Sequence, residues 1–249
     1  MPEGDTILRA ARTLHRALAG KRVVKFESVY AQLDAPLLGQ TIERVHAAGK
    51  HLLIEFSGGL TLRTHMRMNG SWHIYRRGER WQRPRADMRI VLATDDYEAV
   101  AFRVPVAELV KNVERHDELR ALGPDILADD FDLAEARRRL RERKDEEIAN
   151  VLLNQRVIAG IGNIYKSESL FLAGVLPFHP VRDLTDDQLD AIVTNARKLM
   201  RASVAATSRV RRWVYERPGQ LCRRCRTPIE FRKQGIDARG TYWCPKCQR

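Results

Sequence analysis

The sequence predicts an α+β fold in two parts: an N-terminal antiparallel β-sandwich flanked by helices, then a helical region that ends in a cysteine-held β-hairpin. Three observations carry this prediction. Six short segments rich in β-formers lie between Lys21 and Phe102, with turn residues separating them. Beyond Leu122-Gly123-Pro124-Asp125 the apolar spacing becomes that of helices. Two Cys-x2-Cys pairs close the chain.

The first stretch, Met1-Pro2-Glu3-Gly4-Asp5-Thr6, has two readings. As local structure it is a polar turn before a helix, with Asp5 or Thr6 as the N-cap. As chemistry it is a nucleophile. Removal of Met1 leaves Pro2 with a secondary α-amine that titrates at about pH 8, so a useful fraction is unprotonated at neutral pH. Attack of such an amine on an aldehyde-like carbon gives an iminium ion, and a carboxylate at Glu3 can shuttle protons for a departing group. From Thr6 to Gly20, apolar residues at Ile7, Ala10, Ala11, Leu14, Ala17 and Leu18 have helical spacing, closed by a glycine. A helix there pins the chain start against a core.

The β-rich segments are Val23–Phe26, Thr41–Val45, His51–Phe56, Leu60–Arg63, Ser71–Tyr75 and Met88–Leu92. Gly39, Gly49, Ser57-Gly58-Gly59, Asn69-Gly70 and Thr94-Asp95-Asp96 punctuate them, and strands at this spacing suit a sandwich. Leu122-Gly123-Pro124-Asp125 then reads as a hinge. Four helices are expected after it. Phe131 to Arg143 carries Arg137, Arg138, Arg139, Arg141 and Arg143, mostly as a solvated face. Glu147–Asn154 and Asn163–Ala173 follow, and Thr185–Val204 opens on a capping-box-like Thr185-Asp186-Asp187-Gln188. The expected boundaries are residues 1–121 for the sandwich, 122–127 for the hinge, 128–207 for the helical domain and 208–249 for the cysteine-bearing segment. No internal repeat or low-complexity tract is visible.

Composition narrows the function classes. The chain has 249 residues, 44% of them hydrophobic, enough for one large or two modest cores. No apolar run reaches the roughly 18 residues of a membrane span, and the start lacks the apolar region of a signal peptide. A cytosolic protein away from membranes is therefore expected. The formal charge is +12, and residues 208–249 hold twelve Lys/Arg against three Asp/Glu, a surplus of nine. Clustering of this kind suits a polyanion.

Cys222, Cys225, Cys244 and Cys247 flank a β-rich stretch with the spacing of a structural four-cysteine zinc site. With four thiolates no position stays open, so the zinc would fold a hairpin and not catalyse. Arg239, inside Gly235-Ile236-Asp237-Ala238-Arg239-Gly240, sits at the expected hairpin tip, where a guanidinium suits a phosphate or a groove. The stretch from Asn154 to Tyr165 holds Gly160 and Gly162 just before a helix start. It fits either an ordinary tight connection or a phosphate clamp to which Asn163 adds a donor.

Pro2-Glu3-Gly4-Asp5, Gly49-Lys50-His51-Leu52-Leu53, the loop from Gly160 to Glu168 and the terminal four-cysteine hairpin occur in the order found in the Fpg/Nei family of DNA glycosylase/AP lyases. The resemblance spans nearly the whole chain. It implies that the helix-loop-helix resembles that family's helix-two-turn-helix, that Pro2 is the nucleophile on the sugar C1′, and that Glu3 protonates the opening sugar. It places Lys50 at the active site, Lys50, His65, Asn163 and Arg239 on phosphates around the lesion, and Met68 in the gap left by an extruded base. Each has an alternative: a solvated strand lysine, a core histidine, a core methionine. Glu168 could equally be a surface carboxylate, with no role.

Two departures favour the endonuclease VIII-like branch, whose members prefer oxidised pyrimidines. An Arg-Phe wedge pair is not evident near Phe102-Arg103-Val104-Pro105, and the connection from the last helix to Cys222 is too short for a loop over 8-oxoguanine. Thr6 occupies the position of a further family carboxylate. The expected function is a bifunctional glycosylase/AP lyase of base excision repair, acting as a monomer on damaged double-stranded DNA. The alternatives are a zinc-containing nucleic-acid-binding module without catalysis, and a family member that acts on oxidised purines.

Overall fold

The computed structural model describes residues 2–111, 113, 116–206 and 211–249. They form two compact units, Met1–Ala121 and Leu122–Arg249, each with its own apolar core. Removal of Met1 and the expected boundary between residues 207 and 208 lie outside the described residues.

In the first unit α1 (Gly4–Leu18) buries Ile7, Ala11, Leu14 and Leu18, one stripe of a 3.6-residue period, and exposes Arg9, Arg12, His15 and Arg16. Its cap corrects the sequence reading. Glu3 is the N-cap residue, and its carbonyl already accepts from Thr6 and Ile7 at 2.9 and 3.1 Å. Asp5 and Thr6 therefore fall inside the first turn. There Asp5 meets the positive end of the helix dipole and pairs with Arg9 across 3.7 Å.

Eight strands follow: β1 (Lys25–Ser28), β2 (Ile42–Ala48), β3 (His51–Phe56), β4 (Thr61–His65), β5 (Ser71–Arg76), β6 (Met88–Ala93), β7 (Tyr97–Phe102) and β8 (Val106–Val110). They make two antiparallel four-stranded sheets, ordered β1-β6-β7-β5 and β2-β3-β4-β8. Leu52, Ile54 and Leu62 from one sheet share a core with Ile90, Leu92, Ala99 and Ala101 from the other, together with the apolar stripe of α1. Strands β7 and β8 were not among the expected segments. Two alanines in β7 and a glutamate in β8 weaken their local β preference, and only pairing with β6 and β4 settles them. A short helix, α2 (Asp117–Arg120), ends the unit.

The second unit contains α3 (Leu133–Arg141), α4 (Ile148–Val151), α5 (Asn163–Ala173), α6 (Asp186–Ala205) and the hairpin of β9 (Glu230–Gln234) and β10 (Arg239–Trp243). Asp132 caps α3 by accepting from Ala134 and Glu135. Thr185 and Gln188 form the expected capping box on α6. Gly123 has a steric reason to be glycine, since a Cβ there would stand 2.3 Å from the Val157 carbonyl oxygen. The arginines of α3 keep about a third to over half of their side chains exposed, as expected, but differ from a plain solvated face in being paired. Arg138 pairs with Glu135 and Glu142, Arg139 with Glu135 and Arg137 with Asp190. Arg141 pairs with Asp186 and donates to the Val181 and Leu184 carbonyls. Acidic residues one helical turn away, and at the head of α6, explain the difference.

Candidate functional site

Five of the expected site residues fall in the first unit. Pro2 is half-buried at the head of α1, and Glu3 beside it is only 1% exposed. Helix α1 packs on β2, β3 and β5, so the chain start is held by the core and not by a mobile tail. Lys50 occupies the turn between β2 and β3, where Gly49 takes a left-handed φ of 57°. His51, the next residue, stands directly opposite His65 across β3 and β4, and their rings meet edge to face with centroids 4.9 Å apart. Strand register therefore brings Lys50 and His65 to one end of the sheet. Burial, followed by the charges of Arg67 and Lys50, pushes the His65 imidazole down to about 4. At neutral pH it is an uncharged donor, and its Nδ1 accepts from the Arg67 backbone N–H at 3.0 Å.

Met68 lies in the loop between β4 and β5, and the loop separates two methionines. Met66 is 2% exposed in the core, whereas Met68 is 53% exposed. Gly70 closes the loop by donating to the Met66 carbonyl at 2.9 Å, and a Cβ at Gly70 would meet that oxygen at 2.5 Å. Met68 borders a depression of about 410 Å³ that Tyr30, Arg67, Arg89 and Arg103 also line. Arg103 is held there by an ion pair with Asp87 at 2.8 Å.

The remaining expected residues lie in the second unit. Gly160 adopts a φ of 99°, and Gln155 pins the loop by accepting from Gly160 N–H and donating to the Leu153 and Ile161 carbonyls. Gly162 then leads into α5 without a side-chain cap. Asn163, expected to face a phosphate, donates through Nδ2 to the Gly240 carbonyl at 2.7 Å. Lys166, one turn along α5, reaches the same carbonyl at 3.3 Å and Thr241 Oγ1 at 2.8 Å. Gly240 follows Arg239, so the helix start and the hairpin arginine are brought together through one backbone carbonyl. Arg239 is partly exposed, 3.8 Å from Asp237.

The four cysteines converge. Their sulfurs all lie within 4.8 Å of one another, with Cys222–Cys247 at 3.9 Å and Cys225–Cys244 at 3.4 Å. Zinc–sulfur bonds of about 2.3 Å in a tetrahedron set sulfurs about 3.8 Å apart, so the donor set fits one Zn²⁺. Burial pushes the Cys244 and Cys247 thiols up, and a dication at the centre is the charge that lets all four ionise together.

Two residues carry more than the sequence indicated. Glu168 is 3% exposed and accepts from the backbone N–H groups of Trp213, Val214 and Tyr215 at 2.7, 2.9 and 2.9 Å. It is no surface carboxylate, because α5 is buried nearly all round. Lys166 is buried on the same helix. The available signal was the polar run Asn163…Lys166-Ser167-Glu168-Ser169 in a stretch with little amphipathic contrast.

Comparison with known proteins places these features in a family. The formamidopyrimidine-DNA glycosylase N-terminal domain model matches residues 1–105, that family's H2TH domain model matches 122–212, and a zinc finger found in FPG and IleRS matches 219–249. "Probable endonuclease 8 2" of Streptomyces coelicolor is 41% identical over all of this chain and 94% of its own length. A DNA-(apurinic or apyrimidinic site) lyase, Nei2, of Mycolicibacterium smegmatis is 36% identical over 100% of this chain and 99% of its own. Among solved structures, Lactococcus lactis formamidopyrimidine DNA glycosylase bound to DNA with an AP site superposes with a TM-score of 0.86 over the whole of both chains, at 24% identity, a likeness of fold.

Proposed function

The chain belongs to the Fpg/Nei family of DNA glycosylase/AP lyases, and from that premise we propose that it removes oxidised bases, pyrimidines in preference, from double-stranded DNA and cuts the strand. The observation that carries this reading is the head of α1: a half-buried Pro2 next to a Glu3 withdrawn from water, both fixed by a helix packed in the core. A nucleophile and a proton carrier held in this way lose little freedom on reaching the transition state.

Once Met1 is removed, the Pro2 nitrogen attacks C1′ of the damaged nucleotide. The N–C1′ bond forms, the glycosidic bond breaks with its electron pair leaving on the base, the base takes up the proton shed by the Pro2 nitrogen, and Glu3 delivers a proton to the ring oxygen as the C1′–O4′ bond breaks and the sugar opens. The resulting iminium acidifies the C2′ proton. Its removal expels the 3′ phosphate, and a second elimination expels the 5′ phosphate. Lys50, His65 and Arg239 would hold phosphates around the lesion, Asn163 would serve by placing Arg239 through the Gly240 carbonyl, and Met68 would enter the gap left when the nucleotide swings out. Weaker stacking at an oxidised base lowers the extrusion cost, a few kcal/mol, and so adds selectivity. Zinc, bound by the four thiolates, supplies folding free energy to the hairpin that carries Arg239.

In this reading residues 1–121 carry the chemistry, 122–127 act as the hinge, 128–207 grip the duplex and 208–249 form the zinc finger. The setting is the cytosol, with a monomer on the DNA; among the described residues no helix is long and apolar enough to cross a membrane.

Borohydride reduction in the presence of a duplex with one oxidised pyrimidine tests the proposal. A covalent protein–DNA adduct that requires Pro2 is expected, and intact mass shows whether Met1 has been removed. A processed chain end that binds the duplex without forming an adduct overturns the lyase reading. Equal excision of 8-oxoguanine opposite cytosine overturns the pyrimidine preference.

A further inference from the structure

Next to the Lys50–His65 end of the sheet lies a buried arginine, paired with two partly exposed glutamates, that the reaction above does not use. Leu52, Ile54 and Leu62 face the core, so the alternating residues His51, Arg63 and His65 share the opposite face. Arg63 is 1% exposed. It donates from Nη1 to Glu118 at 2.7 Å and from Nη2 to Glu108 at 3.2 Å, and its Nη1 also lies 2.8 Å from His51 Nδ1. A guanidinium has donors and no acceptor, so His51 Nδ1 must accept and the ring proton must sit on Nε2. His65 is fixed in the same tautomer, because its Nδ1 accepts from the Arg67 backbone.

The other charged and titratable groups around this pair, among the described residues, are as follows. Lys50 and Arg67 are the nearby cations, and His116, ahead of α2, bonds to Glu108 at 3.0 Å. His46 and Glu55 lie further along β2 and β3 and pair with each other across 3.5 Å. Burial raises the Glu108 carboxyl, but hydrogen bonds from His116 and Arg63 with the Arg63 charge outweigh it and leave Glu108 below its ordinary value.

We propose that Arg63 is a positioning residue: clamped by Glu108 and Glu118, it holds His51 as the Nε2–H imidazole that packs edge to face on His65, whose own Nε2–H form the Arg67 backbone fixes, so that His65 offers a DNA phosphate an uncharged donor and Lys50 supplies the charge. The phosphate half rests on the function proposed above; the tautomers do not. Without Arg63, His51 would stay buried but lose the donor that fixes Nδ1 as an acceptor, and the ring proton would be free to move to Nδ1.

The test uses the full chain labelled with ¹⁵N in histidine. At pH 7 both rings should show an unprotonated Nδ1 and a protonated Nε2, with no titration from pH 5 to 8. Arg63→Met should let the His51 proton redistribute to Nδ1, and Arg63→Lys, which restores a donor, should return it to Nε2. A protonated Nδ1 on either ring of the unsubstituted protein, or a folded Arg63→Met whose His51 keeps its proton wholly on Nε2, overturns the proposal; if Arg63→Met does not fold, the unsubstituted and Arg63→Lys spectra decide.

Binding to a duplex with a tetrahydrofuran abasic analogue tests the phosphate half. Lys50→Ala should lower the salt slope by about one, whereas His65→Ala should weaken binding at unchanged slope. A slope change of about one for His65→Ala, or no loss of affinity, overturns that half. Failure of the unsubstituted protein to bind the duplex would instead refute the DNA reading, and the tautomers would still be decided by the spectra.

Discussion

Asn163 and Gly240 are joined by a 2.7 Å hydrogen bond from the side-chain amide at the head of α5 to a backbone carbonyl in β10. The carbonyl belongs to the residue after Arg239, so Asn163 governs where that arginine's backbone sits. If this is how Asn163 serves DNA binding, its effect must run through Arg239. Asn163→Ala should weaken binding to damaged duplex by about 0.5–1.5 kcal/mol, the net contribution of a hydrogen bond whose acceptor keeps a second donor in Lys166. Arg239→Ala should do the same at all sequences with a salt slope lower by about one. The double variant should be no weaker than Arg239→Ala. Additive losses in that cycle would place Asn163 directly on a phosphate instead.

Glu168 supports the segment that leads to the first cysteine pair by receiving three backbone N–H groups. Glu168→Gln keeps the shape but removes the charge and turns an amide donor toward at least one of those donors. Hydrogen bonds to a charged group contribute about 1.5–3 kcal/mol each. A loss of about 2–4 kcal/mol is expected, which for a unit of this size is a melting-point drop of the order of 10 °C. A melt within about 2 °C of the unsubstituted protein would show that the carboxylate is not holding the segment.

Zinc removal should act on the hairpin and leave the sandwich intact. The four sulfurs are gathered by residues that otherwise form only a small cluster around Phe171, Val214 and Ile229. Chelation, or Cys244→Ser, should abolish stoichiometric metal and protection of β9 and β10 amides from exchange, while the amides of β3 and β4 stay protected. Full metal content in Cys244→Ser would refute the four-thiolate site.

Stability should fall on mild acidification, and the sign follows from two histidines. Burial, followed by His65 and Arg63, pushes His51 down to about 3, and burial with Arg67 and Lys50 pushes His65 down to about 4, against an ordinary value of 6.5. Between pH 6.5 and those values the unfolded chain binds protons that the folded chain does not, so unfolding becomes easier as pH drops through that window. The contribution is fully present above 6.5. At pH 5 the loss is of the order of 2 kcal/mol per buried ring, less for the more accessible His65. Denaturant midpoints at pH 7.5 and 5.0 should differ accordingly, and His51→Asn, whose amide oxygen can replace Nδ1 as acceptor, should reduce the difference. Equal midpoints would contradict the buried neutral pair.

Local signals carried what depends on spacing. The stripe Ile7, Ala11, Leu14, Leu18, the capping box at Thr185 and Gln188, and the two Cys-x2-Cys pairs could each be read from neighbours in sequence, and each is found in the structure. Pairing partners far along the chain carried the rest. Strand β8 is settled by β4, Glu168 by residues 45 to 47 positions away, and Arg63 by Glu118, 55 positions away. A buried charge in a strand looks like a solvated one until the segment that covers it is known. Asn163 shows the same limit, because its partner on the hairpin depends on how the cysteines fold that hairpin back onto α5.

The loop between β4 and β5 offers an internal control, since two methionines two residues apart face opposite environments. Met66 is packed in the sandwich core, and truncation to alanine should cost about 2–5 kcal/mol through lost burial and a cavity. Met68 stands out of the loop beside Arg67 and Arg103, so Met68→Ala should leave stability within about 0.5 kcal/mol. Its effect should appear only where a base stack has a gap to fill. Excision from a lesion-bearing duplex should slow by about tenfold, equivalent to about 1.4 kcal/mol of transition-state stabilisation, while excision from the same lesion in a single strand should be unchanged. Equal slowing on both substrates would make Met68 a contact to the lesion strand itself, and no slowing on either would return it to the surface.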